Sequence, residues 1–154
     1  MRVALDTNVL AYAEGINGAP MKRLALNLVQ RLPQGNVVVP VQTLGELFAV
    51  LVRKGGRTAS KARAAILNWS DAFSLVETTP AVLLGAADLA AAHQLTIWDA
   101  VIFSAAAEAR CQLLLSEDLQ DGFTWNGVAV ANPFSPTRHA LLDALIEPSG
   151  RRKT

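Results

Sequence analysis

Cysteine is nearly absent: Cys111 stands alone. No disulfide framework can form within the chain, and a reducing compartment, the cytoplasm, is the expected setting. Histidine is almost as scarce. His93 and His139 are far apart, and neither belongs to a recognisable catalytic triad. Net charge is also small, at +1, so no global basic field announces a nucleic-acid partner. Such a role would rest on a local patch. The start, "MRVALDTN", lacks the apolar region of a signal peptide. No stretch reaches the roughly 18 apolar residues of a membrane span. The longest runs are interrupted by Asp88, His93, Asp99 and Glu108, so no membrane association is expected.

What the chain does have is apolar mass. Hydrophobic residues make up 51% of the 154 positions, charged residues 18%, and the mean hydropathy is +0.28. That excludes disorder and fits one domain with a full core and surface left for a self-interface or a partner. Five segments read as short buried strands: "RVAL" (2–5), "NVVVP" (36–40), "SLVE" (74–77), "QLLLS" (112–116) and "VAVAN" (128–132). Continuous apolar runs suit a parallel sheet covered on both faces. Helical stripes lie between them: Leu24, Leu28, Val29 and Leu32; Leu44, Leu47, Phe48, Leu51 and Val52; Ala62, Ala65, Ile66, Trp69 and Phe73. Two Ala-rich helices follow, the first opened by Pro80. The alternation predicts an α/β three-layer domain, a central, mostly parallel sheet flanked by helices. Residues 54–60, "KGGRTAS", are the clearest turn between helices. The tail, "EPSGRRKT", is expected to fray.

In such sheets ligands gather at the carboxyl ends of the strands. Acids stand there repeatedly: Asp6 in "DTN", Glu46 early in the helix after the second strand, and Glu117 and Asp118 in "LLLSEDLQDG". Asp99 opens the helix "TIWDAVIF". Each has a local explanation. Thr43 to Glu46 and Thr96 to Asp99 have capping-box spacing. Asp6 suits an Asx-turn or N-cap, and Ser116 to Asp118 suits a turn. Capping does not explain why several acids fall at one sheet edge. Carboxylates a few Å apart repel by roughly 4 kcal/mol per pair at an effective dielectric near 20. A shared proton, a base or a cation must compensate. None of Lys22, Lys54, Lys61 and Lys153 stands at a strand end. A divalent cation is the economical answer, and oxygen ligands without Cys or His favour Mg2+ or Mn2+ over Zn2+.

The segments "ALDTNVLAYAEG", "TLGELFAVLVRK", "LTIWDAVIFSAAAEARCQLLLSEDLQDG" and "VAVANPF" resemble the PIN-domain ribonucleases, most closely VapC-type toxins of toxin–antitoxin pairs. The resemblance runs from about Val3 to Phe134. It implies a PIN-like nuclease domain over 1–134, with 135–154 as a C-terminal helical extension and tail. It also implies Mg2+- or Mn2+-dependent RNA cleavage, frequent homodimers and inhibition by a cognate antitoxin protein. By matching motif, the family's acids become Asp6, Glu46, Asp99 and Asp118. Asn8 and Ser116 match supporting polar positions.

On that resemblance, Asp6, Asp99 and Asp118 are expected to hold the metal, directly or through its waters. Glu46 either joins the metal shell or orients the attacking water. Asp121, placed one helical turn beyond Asp118, is a second-rank candidate for a second metal, and Glu117 is expected at the surface. The basic segment 53–63, with Arg53, Lys54, Arg57, Lys61 and Arg63, could hold RNA phosphates or simply face water. Trp98 and Trp125 could stack on bases or fill the core. The Leu- and Phe-rich helix at 44–52 is expected to offer a groove for the antitoxin. Two rivals differ in class. A phosphoacceptor receiver domain wants paired acids after its first strand and a late lysine, neither of which is present. A catalytically silent RNA-binding or assembly module would keep the fold without turnover.

Overall fold

Val3, Ala4 and Leu5 are wholly buried, and they form the strand around which the chain is organised. In the computed structural model, which describes residues 1–147, β1 (Val3–Leu5) leads into α1 (Thr7–Ala13) and α2 (Ala19–Arg31). Next come β2 (Val37–Pro40), α3 (Val41–Arg53), α4 (Ala59–Ala72) and β3 (Ser74–Val76). Then follow α5 (Pro80–His93), α6 (Ile97–Glu108), β4 (Leu113–Leu115), β5 (Thr124–Trp125), β6 (Val128–Ala131) and α7 (Ala140–Ile146). The sheet order is β3-β2-β1-β4-β6-β5, and every pairing is parallel except β5 with β6.

Alternation along the strands builds two cores. Val3, Leu5, Val37, Val39, Leu113 and Leu115 point into one, shared with α1 to α4 and with Leu142, Leu145 and Ile146 of α7. Ala4, Val38, Leu114, Val128 and Val130 point into the other, against α5 and α6. Successive side chains project to opposite faces. A strand covered on both sides therefore reads as an unbroken apolar run. Helix α6 is buried from Ala100 to Ala106, enclosed between the sheet and α5. The two helices approach closely at Gly85, where a Cβ would lie 2.8 Å from Ser104 Oγ.

The sequence expectations need several corrections. β3 is an edge strand, and its Ser74 and Leu75 are exposed rather than buried. β5 was not anticipated. It forms a hairpin with β6 across Asn126 and Gly127, both at positive φ, an Asn-Gly pair that favours such tight turns. In α2 the buried positions are Ala25, Leu28 and Val29, with Leu32 beyond its end, while Leu24 is 56% exposed. Helix α3 begins at Val41, so Thr43 lies inside it and makes no capping box with Glu46. Its Leu44, Leu47 and Leu51 belong to the domain's own core, while Phe48 packs partly buried against that core and Val52 is exposed. Of the tail expected to fray, residues 148–154 lie outside the described residues. Glu147 is described, and it accepts a hydrogen bond from Arg31 at 3.5 Å.

Candidate active site

The chain leaves β1 for β2 on one side, and β4 later pairs on the other side of β1. The carboxyl ends of β1 and β4 therefore diverge at a topological switch point, where open α/β sheets place ligands. Leu5 pairs with Leu115, and the Asp6 amide donates to the Leu115 carbonyl at 3.0 Å. Asp6 and Ser116 are thereby set side by side.

Asp6 is 4% exposed and caps α1. Its Oδ1 accepts from the Thr7 amide at 2.7 Å. Its Oδ2 accepts from the Ser116 hydroxyl at 2.6 Å and the Asn8 amide group at 3.5 Å. Burial pushes its carboxyl up to about 6, against the lowering effect of the Ser116 and Thr7 hydrogen bonds, and the charges of Asp99 and Asp118 add to the rise. Ser116 Oγ also accepts from the amides of Asp118 at 3.2 Å and Leu119 at 3.3 Å. One buried hydroxyl thus ties Asp6 to the turn that carries Asp118. Asn8 holds the same turn, its Oδ1 accepting from the Glu117 amide at 3.2 Å.

Glu46 arrives from β2. The Thr43 hydroxyl donates to the Leu5 carbonyl at 3.0 Å, docking the start of α3 on the end of β1. Glu46, three residues on, is half-buried, and its Oε2 accepts from Gln42 Nε2 at 3.2 Å. Burial raises its carboxyl to about 7, with the charges of Asp6, Asp99 and Asp118 contributing. Asp99 comes from the first turn of α6, where Thr96 Oγ caps its amide at 3.2 Å. Its carboxyl is raised by burial, partly offset by a hydrogen bond from Thr96, and Asp118 pushes it further up. The carboxylates of Asp6, Glu46, Asp99 and Asp118 thus lie within one another's fields, drawn from four separate segments. Glu46 and Asp118 also line one cavity of about 180 Å³ with Asn8, Tyr12, Asn17 and Lys54.

The remaining candidates separate. Asp121 is engaged elsewhere, its Oδ1 accepting from the Asn132 amide at 3.0 Å, and residues 117–122 form bends and turns rather than a helix. Glu117 is not simply solvated, because the Tyr12 hydroxyl donates to it. Arg57 is locked onto Glu14, at 2.7 Å to the carboxylate and 2.6 Å to the backbone carbonyl, so it is not a free phosphate contact. Trp125 packs edge-on against Phe103 with centroids 5.9 Å apart, whereas Trp98 is 57% exposed. His93 packs on Phe123 and His139 caps α7. Sequence reasoning missed Tyr12 at the site, read Thr43 only as a cap and placed Lys54 only in the basic segment. Their roles depend on contacts between distant segments, which spacing does not encode.

Among the described residues no ion pair reaches the four acids; the pairs are Arg31–Glu147, Arg57–Glu14, Arg138–Asp143 and Arg138–Glu147. The cluster's negative charge therefore lacks a direct basic partner, and its donors are all hard oxygens, which suits Mg2+ or Mn2+. No three described His, Cys, Asp or Glu side chains converge closely enough to enclose an ion on their own.

The PIN domain family matches residues 3–121, most of the chain and three of the four acid-bearing motifs in full, with the fourth, at Asp118, near its end. The chain belongs to the PIN-domain family. Solved structures share this PIN fold. A VapC toxin of Mycobacterium tuberculosis that cleaves the sarcin–ricin loop is 22% identical, with a TM-score of 0.63. The match covers 75% of this chain and 91% of that one. A toxin–antitoxin complex from Klebsiella pneumoniae is 20% identical, with a TM-score of 0.64 over 86% of this chain and 98% of its own. DNA-bound VapBC from Salmonella typhimurium is 15% identical, with a TM-score of 0.62 over 84% and 96%. Comparison with curated proteins returns no match. Among the described residues no helix is long and apolar enough to cross a membrane.

Proposed function

We propose that this PIN-domain protein is a divalent-metal-dependent endoribonuclease and the toxin of a toxin–antitoxin pair. One observation carries the reading: four carboxylates from separate segments meet at the sheet's switch point, and among the described residues none of them is held in an ion pair. The structural neighbours support it, since one cleaves the sarcin–ricin loop and others are toxin–antitoxin complexes. Asp6, Asp99 and Asp118 hold Mg2+ or Mn2+, directly or through water. The bound ion supplies a more acidic water and neutralises charge building on the phosphate. Glu46, half-buried on α3 beside these three acids, either joins the metal shell or orients the attacking water. Asn8 and Ser116 hold Asp6 and the Asp118 turn in place. The partners are the RNA substrate, a cognate antitoxin that covers the acidic centre, and a second copy of the chain in a homodimer.

Incubating the purified protein with structured and unstructured RNA tests this. Fragments should appear with Mn2+ or Mg2+, disappear with EDTA, and disappear again when the small protein from the neighbouring gene is co-expressed and co-purified. RNA that is bound but stays intact in every arm would instead assign the chain to the silent-module class.

A further inference from the structure

A second, shallow and open hollow of about 470 Å³ also borders Glu46 and is lined by Gln42, Gly45, Glu46, Ala49, Arg53 and Trp98. Gln42, Gly45, Ala49 and Arg53 follow one another at helical spacing, so they form one strip along α3, away from its core-facing Leu44, Leu47 and Leu51. The strip's floor is low because two of its residues are Gly and Ala. Gly45 is not imposed by packing or by backbone conformation. A Cβ there would meet nothing within 4 Å, and its φ is not in the left-handed region. A helix normally pays about 1 kcal/mol for such a glycine. What it gains here is open space beside a wall. That wall is Trp98, in the first turn of α6 and immediately before Asp99. Trp98 is left exposed. An exposed flat aromatic face, a guanidinium and an uncluttered floor, bordering a carboxylate of the acidic centre, match one nucleotide: the base stacks and the phosphate meets the arginine.

Building on the ribonuclease reading, we propose that this cavity is a nucleotide subsite. The base of an unpaired residue next to the scissile phosphate lies on Trp98 above Gly45 and Ala49, and Arg53 contacts the adjoining phosphate. A paired base has no free face to offer, so the subsite selects single-stranded or loop RNA over duplex.

The test uses short single-stranded RNAs that the full-length protein cleaves with Mn2+, including a series with one abasic nucleotide at each position around the cut. For the wild type, one abasic position should lower kcat/KM by about ten- to a hundredfold, the loss of one base–aromatic stack. Trp98→Ala should raise KM by a similar factor on intact RNA while kcat stays within a few-fold. It should also abolish the extra penalty at that one abasic position, and Trp98→Phe should restore most of it. Arg53→Gln should weaken all RNAs alike. Trp98→Ala with unchanged KM and an unchanged abasic profile would overturn the subsite. So would a Trp98→Ala variant that loses only antitoxin binding, which would assign the surface to a protein partner. A wild type that cleaves none of the intact RNAs would sink the ribonuclease reading itself, an outcome visible before any variant is compared.

Discussion

Asp6→Asn should lose metal-dependent RNA cleavage by more than about a hundredfold, since even removing the partner of a metal ligand costs about 10- to 100-fold. The same substitution should stabilise the metal-free protein at pH 7.5. Asp6 is buried, and its carboxyl is raised from 3.8 to about 6 chiefly by burial. An acid whose folded value is raised contributes stability below its unfolded value and loses it as pH climbs through the folded one. Between pH 4 and 6, therefore, the folded protein loses on the order of 3 kcal/mol as Asp6 is forced to ionise. Asparagine carries no charge to bury. The Ser116 hydroxyl can still donate to its amide oxygen, while the bond from the Thr7 amide is forfeited, at a cost of about 1 kcal/mol. Urea unfolding should thus show Asp6→Asn more stable than wild type by about 1–2 kcal/mol at pH 7.5 and less stable at pH 4. A variant destabilised at both pH values would mean that Asp6 serves the fold rather than a site that strains it. Stability surrendered at a functional centre is a common trade.

The second large effect is on pH. In the metal-free protein Asp6 and Glu46 are raised to about 6 and about 7. An ion must displace their protons before carboxylates can receive it. At subsaturating Mn2+, kcat/KM should climb about tenfold per pH unit from about pH 5.5 to 7 where one proton is displaced, and more steeply where both are, then level off above about 7.5. Raising Mn2+ should move the whole limb toward acid, because the bound cation favours the charged carboxylates. Glu46→Gln should remove the part of the limb near pH 7 and leave the part near 6. A profile flat from pH 5.5 to 8 would show that neither group is protonated in the metal-free centre.

Much of this centre is legible in the sequence because its parts are local. "DTN" after an apolar run places Asp6 at a strand end as an N-cap, and Asp6 does cap α1. Thr96 and Asp99 keep their capping spacing in space. The parallel sheet is readable because strands covered on both faces have no polar alternation. What was illegible is what depends on distant segments meeting. Thr43 has the spacing of a cap, yet its hydroxyl crosses to the Leu5 carbonyl because α3 starts at Val41, directly after β2 ends at Pro40. Asp121 shares the acidic turn but faces Asn132, since the chain after β4 bends instead of winding into a helix. In the apolar stripe of α3, Leu44, Leu47 and Leu51 face the domain's own core, and Phe48 and Val52 are left at its edge. Composition does not distinguish an apolar face buried within the chain from one left for a partner. The two-residue β5 is too short for any periodicity, although "WNGV" carried the Asn-Gly signal of its hairpin.

The central claim is that Asp6, Glu46, Asp99 and Asp118 form one cation site. Calorimetric titration of Mn2+ into EDTA-stripped protein at pH 6.5, repeated in buffers of different ionisation heat, tests it most directly. The account predicts saturable binding with net proton release in the wild type, and little or no binding in Asp6→Asn and Asp99→Asn. Absence of binding in the wild type, or undiminished binding in Asp99→Asn, would contradict it.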